Sequence, residues 1–412
     1  MAGKSGLMRR AVAALGRRGM ATGVNESRRN AAMGPIDVPQ RFMMGPGPSN
    51  VHPRVLAATS LPILGHMHPP MLHIMTEIQE GLKYMAQTES KNVICASGPG
   101  HAGMETVIAN CVHPGDSVVI GNNGMWSARI ADLVERYGGK PVCIDKPPGE
   151  NCTVDELEAA IVAHKAKAVF VTHGESSTGT FQPLEGIGAM AHKHGALFLV
   201  DSVCTFGGVP FKFDEWEIDA TYSGSQKVLS CPPGASPVIF SDRAVKRMEG
   251  REGKCRSYLF DFTLLGRYWP GIFDADKPRF YHHTGLVNTL YGMREGVALY
   301  MEEGLQATWK RHQDIHNLLW SHLTDLGLEP YVKKAENRLI TVNPITIPKG
   351  VDGAKLTAHA ANVYNTEVPG GLGPTVGHCW RIGVMGYNAK PGNMALVKEI
   401  FKTGLAEQGW KK

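Results

Sequence analysis

Lys227 closes the run Thr221-Tyr222-Ser223-Gly224-Ser225-Gln226-Lys227, and Asp201 stands 26 positions earlier in Leu199-Val200-Asp201-Ser202. A primary amine reacts with an aldehyde only when unprotonated, and burial favours that form. A carboxylate held beside a ring nitrogen keeps that nitrogen protonated, so that the ring can draw electrons from a carbanion. Asp201 follows four apolar residues, Leu197 to Val200, and so closes a buried strand. Alone, such an Asp is as readily a turn or cap residue, and a lone lysine after a strand is usually solvated. In this order and spacing the two point to pyridoxal phosphate (PLP), which is carried as a Schiff base on a lysine amine.

Three further groups could serve such a cofactor or its substrate. Ser97-Gly98-Pro99-Gly100-His101-Ala102-Gly103 lies between an expected strand and an expected helix and contains a literal G-x-G-x-x-G. A dinucleotide site of that kind needs an acid about 20 residues on, at the end of the next strand. Here that strand, Val118-Val119-Ile120, runs into Gly121-Asn122-Asn123-Gly124 with no carboxylate. The turn therefore suits a phosphate monoester at a helix N-terminus better than NAD. Trp126 follows the same strand, where it could stack on a flat ring or simply pack in the core. Ser176, in Thr172-His173-Gly174-Glu175-Ser176-Ser177-Thr178-Gly179, follows another strand end and could donate a hydroxyl or serve the turn alone. Arg381, in Trp380-Arg381-Ile382-Gly383, offers a guanidinium fork for a carboxylate, with an interdomain ion pair as the alternative. Gly370-Gly371-Leu372-Gly373-Pro374 before it is read as a mobile, close-approach loop.

The elements that must hold these groups follow from periodicity. Between about residues 90 and 245 short apolar runs alternate with amphipathic stretches, the pattern of a mostly parallel sheet flanked by helices. Strands are expected at Asn92 to Ala96, Ser117 to Gly121, Pro141 to Ile144, Ala168 to Thr172, Leu197 to Val200, Ala220 to Ser223 and Pro237 to Ser241. Thr153-Val154-Asp155-Glu156 is a capping box that opens a helix. From about residue 285 long helices follow, with Leu286, Leu290, Met293, Val297 and Met301 on one stripe. Gly45-Pro46-Gly47-Pro48 opposes helix and central strand alike and belongs to an arm that crosses to the active site or to a partner subunit.

Composition narrows the class. With 412 residues, 43% hydrophobic and 20% charged, the chain suits a soluble two-domain enzyme. No stretch has the roughly 18 consecutive apolar residues of a membrane span. Residues 1–25 lack Asp and Glu, and Lys4, Arg9, Arg10, Arg17 and Arg18 equal the whole formal excess of +5. This segment reads as a mitochondrial transit peptide, with a disordered basic tail as its alternative. The remainder carries no basic excess, which speaks against nucleic acid. The C-terminus, Gly409-Trp410-Lys411-Lys412, does not match a Ser-Lys-Leu peroxisomal address. Eight cysteines without any Cys-x-x-Cys pair imply neither a disulfide framework nor a structural metal.

Together, Gly45 to Asn50, Thr172 to Gly179, Tyr222 to Lys227, Tyr281-His282-His283-Thr284 and Gly370 to Gly383 closely resemble, over about residues 40 to 405, the class V, fold type I PLP enzymes of the alanine-glyoxylate aminotransferase group. The resemblance implies an α/β fold. Residues 61–300 would form a PLP-binding large domain on a mostly parallel seven-stranded sheet, and residues 301–412 a smaller C-terminal α/β domain. Residues 1–25 and 26–60 would be transit peptide and N-terminal arm. It implies Lys227 as the PLP lysine, Asp201 on the pyridinium, Trp126 on the ring, and Gly100, His101 and Gln226 as the phosphate cup. Ser176 would lie near the ring, and Arg381 with Gly47 would bind the substrate. Tyr281 and Thr284 would reach the phosphate of the neighbouring subunit, which makes the enzyme a homodimer with shared sites. The implied reaction is a ping-pong transfer from L-alanine or L-serine to glyoxylate in the mitochondrial matrix, with peroxisome or cytoplasm as alternative locations. Two positions depart from the group. Pro99 stands where Ser is frequent and offers neither amide nor hydroxyl, and Val368-Pro369 replaces smaller or more flexible residues before the double glycine. The nearest rival activity uses 3-hydroxykynurenine or kynurenine as donor. Cysteine desulfuration would need a mobile Cys, whereas Cys379 directly precedes Trp380 in an expected strand. A non-enzymatic relative would normally have lost the lysine, and an NAD-binding module lacks its acid.

Overall fold

A computed structural model describes residues 28–29, 33–273 and 278–411; the basic segment 1–25, and with it the transit-peptide expectation, lies outside the described residues. Residues 28–29 are helical and 33–40 are exposed without helix or strand. From Arg41 onward the chain forms one compact unit.

The central strands of that unit, such as Ala168–Thr172 and Leu197–Asp201, are buried along their whole length, so both of their faces need cover, and helices supply it. In chain order the strands are β1 Val93–Ser97, β2 Ser117–Asn122, β3 Lys140–Asp145, β4 Ala168–Thr172, β5 Leu197–Asp201, β6 Ala220–Tyr222 and β7 Ala235–Phe240. They form one seven-stranded sheet in the order β1-β7-β6-β5-β4-β2-β3. Only β7 runs against the others. All seven expected strands are present, with ends displaced by two residues at most. Pro237, taken from sequence as a strand start, stands inside β7, where its carbonyl accepts from the Ser223 amide at 2.9 Å. The register sets Asp201 of β5 opposite Thr172 of β4 and Tyr222 of β6. The C-terminal ends of these three strands thus stand level, the place where open α/β sheets bind ligands.

The helices begin where their signals stand. Thr153 caps Val154–His164, accepting from the Glu156 amide while Glu156 reaches back to the amide of Thr153 at 2.8 Å. Two long helices, Val287–Glu303 and Leu305–Asp325, follow the sheet. The apolar stripe of the first is buried at Leu290, Met293 and Val297, but Leu286 and Met301 at its two ends are 40% and 47% exposed. Among the described residues, these two ends are only partly covered. Among the described residues no helix is long and apolar enough to cross a membrane.

A second apolar cluster gathers Leu319, Leu356, Trp380, Ile382, Val397 and Phe401 around the antiparallel pair β8 Val342–Thr346 and β9 Cys379–Gly383. Met44 joins this cluster. Its neighbours Phe42–Met43 pair in parallel with Thr366–Glu367. The arm is thereby anchored in the C-terminal part, and its next residues run to the end of the sheet. There the Ser49 amide bonds to the Gln226 carbonyl at 2.8 Å and the Ser49 hydroxyl to the Lys227 carbonyl at 2.7 Å.

His312, fully buried in Leu305–Asp325, ties that helix to the turn at Gly386. Its Nε2 accepts from the Gly386 amide at 2.9 Å, so Nδ1 carries the proton that goes to the Thr308 carbonyl at 2.7 Å. Burial and the neighbouring Arg311 charge push this imidazole down to about 4. A folded-state value below the unfolded 6.5 means that the unfolded chain takes up the proton first as pH falls. The His312 contribution is whole above pH 6.5 and is lost toward pH 4. Urea unfolding at pH 7.5 and pH 5.0 should show His312→Gln less stable at the higher pH. The wild type should lose roughly 2 kcal/mol more than the variant between the two.

Candidate active site

A cavity of about 170 Å³ opens at the C-terminal ends of β4 to β6. Gly100, His101, Trp126, Ser176, Asp201, Gln226 and Lys227 all line it, with Met104, Val203, Cys204 and Tyr222 between them. Seven of the residues chosen from sequence therefore meet in one space.

Asp201 is buried at its base. Its Oδ2 accepts from the Tyr222 hydroxyl at 2.7 Å and its Oδ1 from the Val203 amide at 2.8 Å. Burial pushes this carboxyl up to about 7, against the two hydrogen bonds that favour its charge. Two of its acceptor positions remain for a ligand. A cationic ring N–H would restore the charge that burial opposes. Tyr222 and Val203 were not singled out from sequence. Tyr222 stands directly opposite Asp201 across the β5–β6 ladder, so strand register rather than any motif would have revealed it.

Lys227 reaches the cavity from the turn after β6 and is half-buried, less enclosed than its place after a strand suggests. Its Nζ donates to the Pro46 carbonyl at 2.7 Å and lies 3.5 Å from that of Gly47. The arm therefore runs directly over the amine. Gly47 has φ of +104°, and a Cβ there would fall 2.4 Å from Lys227 Cδ. No other residue type fits this place without moving the lysine.

Trp126 and Arg381 meet at the turn after β4. The indole Nε1 donates to the Ser176 hydroxyl at 2.7 Å, and Arg381 Nη1 donates to the Ser176 carbonyl at 3.1 Å. Arg381 Nε donates to the Gly370 carbonyl at 2.9 Å. Both partners of this buried guanidinium are neutral carbonyls, and burial lowers its pKa. A buried cation without a counter-ion is costly, and a substrate carboxylate supplies one. The glycine loop ahead of it is pinned: the Thr375 hydroxyl donates to the Ser177 carbonyl at 2.7 Å and accepts from the Leu372 amide at 3.0 Å. Cys379 is buried in the β8–β9 ladder, a poor place for a mobile nucleophile.

Tyr281 and Thr284 do not line this cavity. Both are exposed and bonded to each other at 3.1 Å.

The residues present fit PLP. An amine, a buried carboxylate and an indole wall face one space, and helix Gly100–Cys111 begins at its edge. The first amides of that helix have no carbonyl of their own helix to bond. Gln226 Oε1 is buried with no hydrogen-bond partner among the described residues. Turning its amide over would present an N–H to a phosphate.

The sequence model described as Aminotransferase class-V matches residues 54–382. An alanine–glyoxylate aminotransferase of Rattus norvegicus is 43% identical over 90% of this chain and 89% of its own length. A crystal structure of an alanine–glyoxylate aminotransferase from Nostoc sp. superposes with a TM-score of 0.87 at 42% identity, covering 90% of this chain and 97% of that one. An (S)-ureidoglycine–glyoxylate transaminase of Bacillus subtilis is 33% identical over 87% of this chain and 89% of its own length.

The contact between arm and lysine is open to test. Gly47→Ala should leave thermal stability within a few degrees of wild type while lowering turnover on the order of 100-fold, because the displaced atom is the reacting amine. Turnover close to wild type would mean that the arm yields at no cost.

Proposed function

The chain belongs to the class-V aminotransferase family, and from that premise we propose that it moves the amino group of L-alanine to glyoxylate, giving pyruvate and glycine, with L-serine as a second donor. The observation that carries the substrate class is Arg381, a buried guanidinium held only by carbonyls at the turn that also holds the Trp126 wall. Alanine, serine and glyoxylate each carry one carboxylate next to the reacting carbon, so a single clamp serves donor and acceptor in turn. Relatives 42–43% identical over 90% of the chain bear the alanine–glyoxylate name.

The cofactor is pyridoxal phosphate, which Lys227 would hold and which would supply an electron sink for the pair left behind as the Cα proton departs from the substrate. Arg381 fixes the substrate carboxylate and so sets which Cα bond faces the lysine. Lys227 Nζ, as a free amine, would take that proton as a base and return it as an acid. Asp201, held by Tyr222 and Val203, would carry negative charge at the floor of the cavity once a protonated ring nitrogen faces it. Trp126 closes one wall and excludes water there. The keto acid leaves before glyoxylate enters, and the same residues then run in reverse to release glycine.

The working form is a homodimer with shared sites. The exposed Tyr281 and Thr284, which stay out of their own cavity, support this, as do the exposed ends of the Leu286 to Met301 stripe. The site of action is the mitochondrial matrix, on the strength of the five cations and absent acids of residues 1–25.

Two measurements test these statements. Protein reconstituted with PLP should show a visible absorption that L-alanine bleaches and glyoxylate restores, and Lys227→Ala should lack it. A band indifferent to alanine but bleached by kynurenine or 3-hydroxykynurenine would transfer the donor to that class. Residues 1–25 fused to a fluorescent protein should carry it into mitochondria, and a diffuse cytoplasmic signal would overturn the location.

A further inference from the structure

Helix Met125–Arg136 begins without a cap of its own. Its N-cap is Gly124, which has no side chain to accept from the first amides. The acceptor comes from another element. Glu175 lies fully buried in the short strand Gly174–Glu175, and its Oε2 accepts from the amide of Trp126 at 2.9 Å and that of Ser127 at 3.4 Å. Its Oε1 accepts from the amide of Ser177 at 3.0 Å and from the Ser177 hydroxyl at 2.6 Å. A Cβ on Gly124 would fall 2.4 Å from the Glu175 side chain, so the glycine clears the way for the carboxylate.

The consequences run into the cavity, which Glu175 itself does not line. One oxygen fixes the backbone of the residue whose indole forms the wall. The other fixes the turn whose Ser176 hydroxyl takes the indole N–H and whose Ser176 carbonyl holds Arg381. Ser177 extends the tie, because its hydroxyl accepts from the Met125 amide at 3.0 Å and its carbonyl holds Thr375 of the glycine loop. Burial raises the Glu175 pKa, and the four hydrogen bonds oppose that rise, with the positive end of the helix dipole on the same side.

We propose that Glu175 is a positioning residue that holds the Trp126 wall and the Arg381 clamp in one fixed relation, so that cofactor retention and carboxylate binding depend on it together. The proposal rests on the PLP reading of the cavity and not on the identity of the donor.

The test is a double-mutant cycle on PLP affinity, read by fluorescence titration of apoprotein, with steady-state kinetics beside it. Glu175→Ala leaves buried donors unpaired and should weaken PLP binding by about 10-fold or more. It should also raise KM for alanine and for glyoxylate by a similar factor, with kcat falling less. In a Trp126→Ala background the same substitution should weaken PLP binding by less than twofold, since the wall it positions is gone. Should Glu175→Ala fail to fold, Glu175→Gln, which keeps the shape and part of the accepting capacity, carries the same cycle with smaller effects. A variant that melts earlier but keeps wild-type PLP affinity and KM would reduce Glu175 to a helix cap and overturn the proposal. Equal losses of affinity in both backgrounds would overturn it as well. Wild-type protein that binds no PLP would instead sink the functional reading on which the proposal rests.

Discussion

Asp201 and Arg381, ionisable groups of opposite sign, are both buried without an ion pair among the described residues, and much of the structure around the cavity follows from keeping them apart. Isolated buried charges are costly, and a fold ordinarily pairs them. Here Asp201 receives a hydroxyl and an amide, and Arg381 meets two carbonyls. Dipoles of this kind moderate the cost and leave neither group in an ion pair. Had the two residues met, the pair would have been satisfied and chemically idle. Set apart, each stays available, Asp201 for a protonated ring nitrogen and Arg381 for a carboxylate, as the proposed function would use them.

This separation needs a rigid frame, and the frame has two sources. Asp201 belongs to the centre of a seven-stranded sheet, where β5 is buried along its whole length and its register with β4 and β6 is set by apolar residues. Arg381 belongs to a separate ladder with its own apolar cluster. The chain joins them through elements that touch both sides. The arm is anchored by Met44 in the second cluster while Pro46 and Gly47 lie over Lys227. His312 bridges a long helix to the Gly386 turn, and the turn Glu175 to Ser177 meets a helix, the arginine and the glycine loop. Of these ties, Lys227 to the Pro46 carbonyl, Arg381 to the Ser176 carbonyl and Thr375 to the Ser177 carbonyl are hydrogen bonds from a side chain to the backbone of a distant segment, so precision comes from directional contacts laid over apolar packing.

What was legible in the sequence was local. The strands could be read because an apolar run of five residues between turns has few other readings, and the Thr153 capping box because both partners lie within four residues. Asp201 and Lys227 were legible as strand-end residues, and Trp126 and Ser176 as residues following strands. What stayed hidden depends on pairs distant in the chain. Tyr222 acts through a register, and Glu175 caps a helix that begins 50 residues before it. Thr375 pins its own loop to a turn nearly 200 residues away. The half-exposure of Lys227 has the same origin, since only the fold shows that a single arm covers it. The exposed Leu286 and Met301 show the opposite limit, where a helical stripe ends in residues only partly covered among those described.

The proline at position 99 illustrates how a departure from an expected pattern can be judged by position. In the interior of a helix a proline removes a hydrogen bond and collides with the preceding turn. Pro99 is the N-cap of helix Gly100–Cys111, where its carbonyl still accepts from the Ala102 amide at 2.7 Å. The amide it lacks is one the helix does not use, so the loss falls on whatever the amide of that residue would have met outside. The amides of Gly100 and His101, and the dipole behind them, are untouched. Arg129 lies at the same rim and donates to the His101 ring at 3.2 Å, placing a cation beside the cup. Under the proposed reading of Gly100 and His101 as a phosphate cup, the proline would remove one donor and leave the field of the helix N-terminus in place.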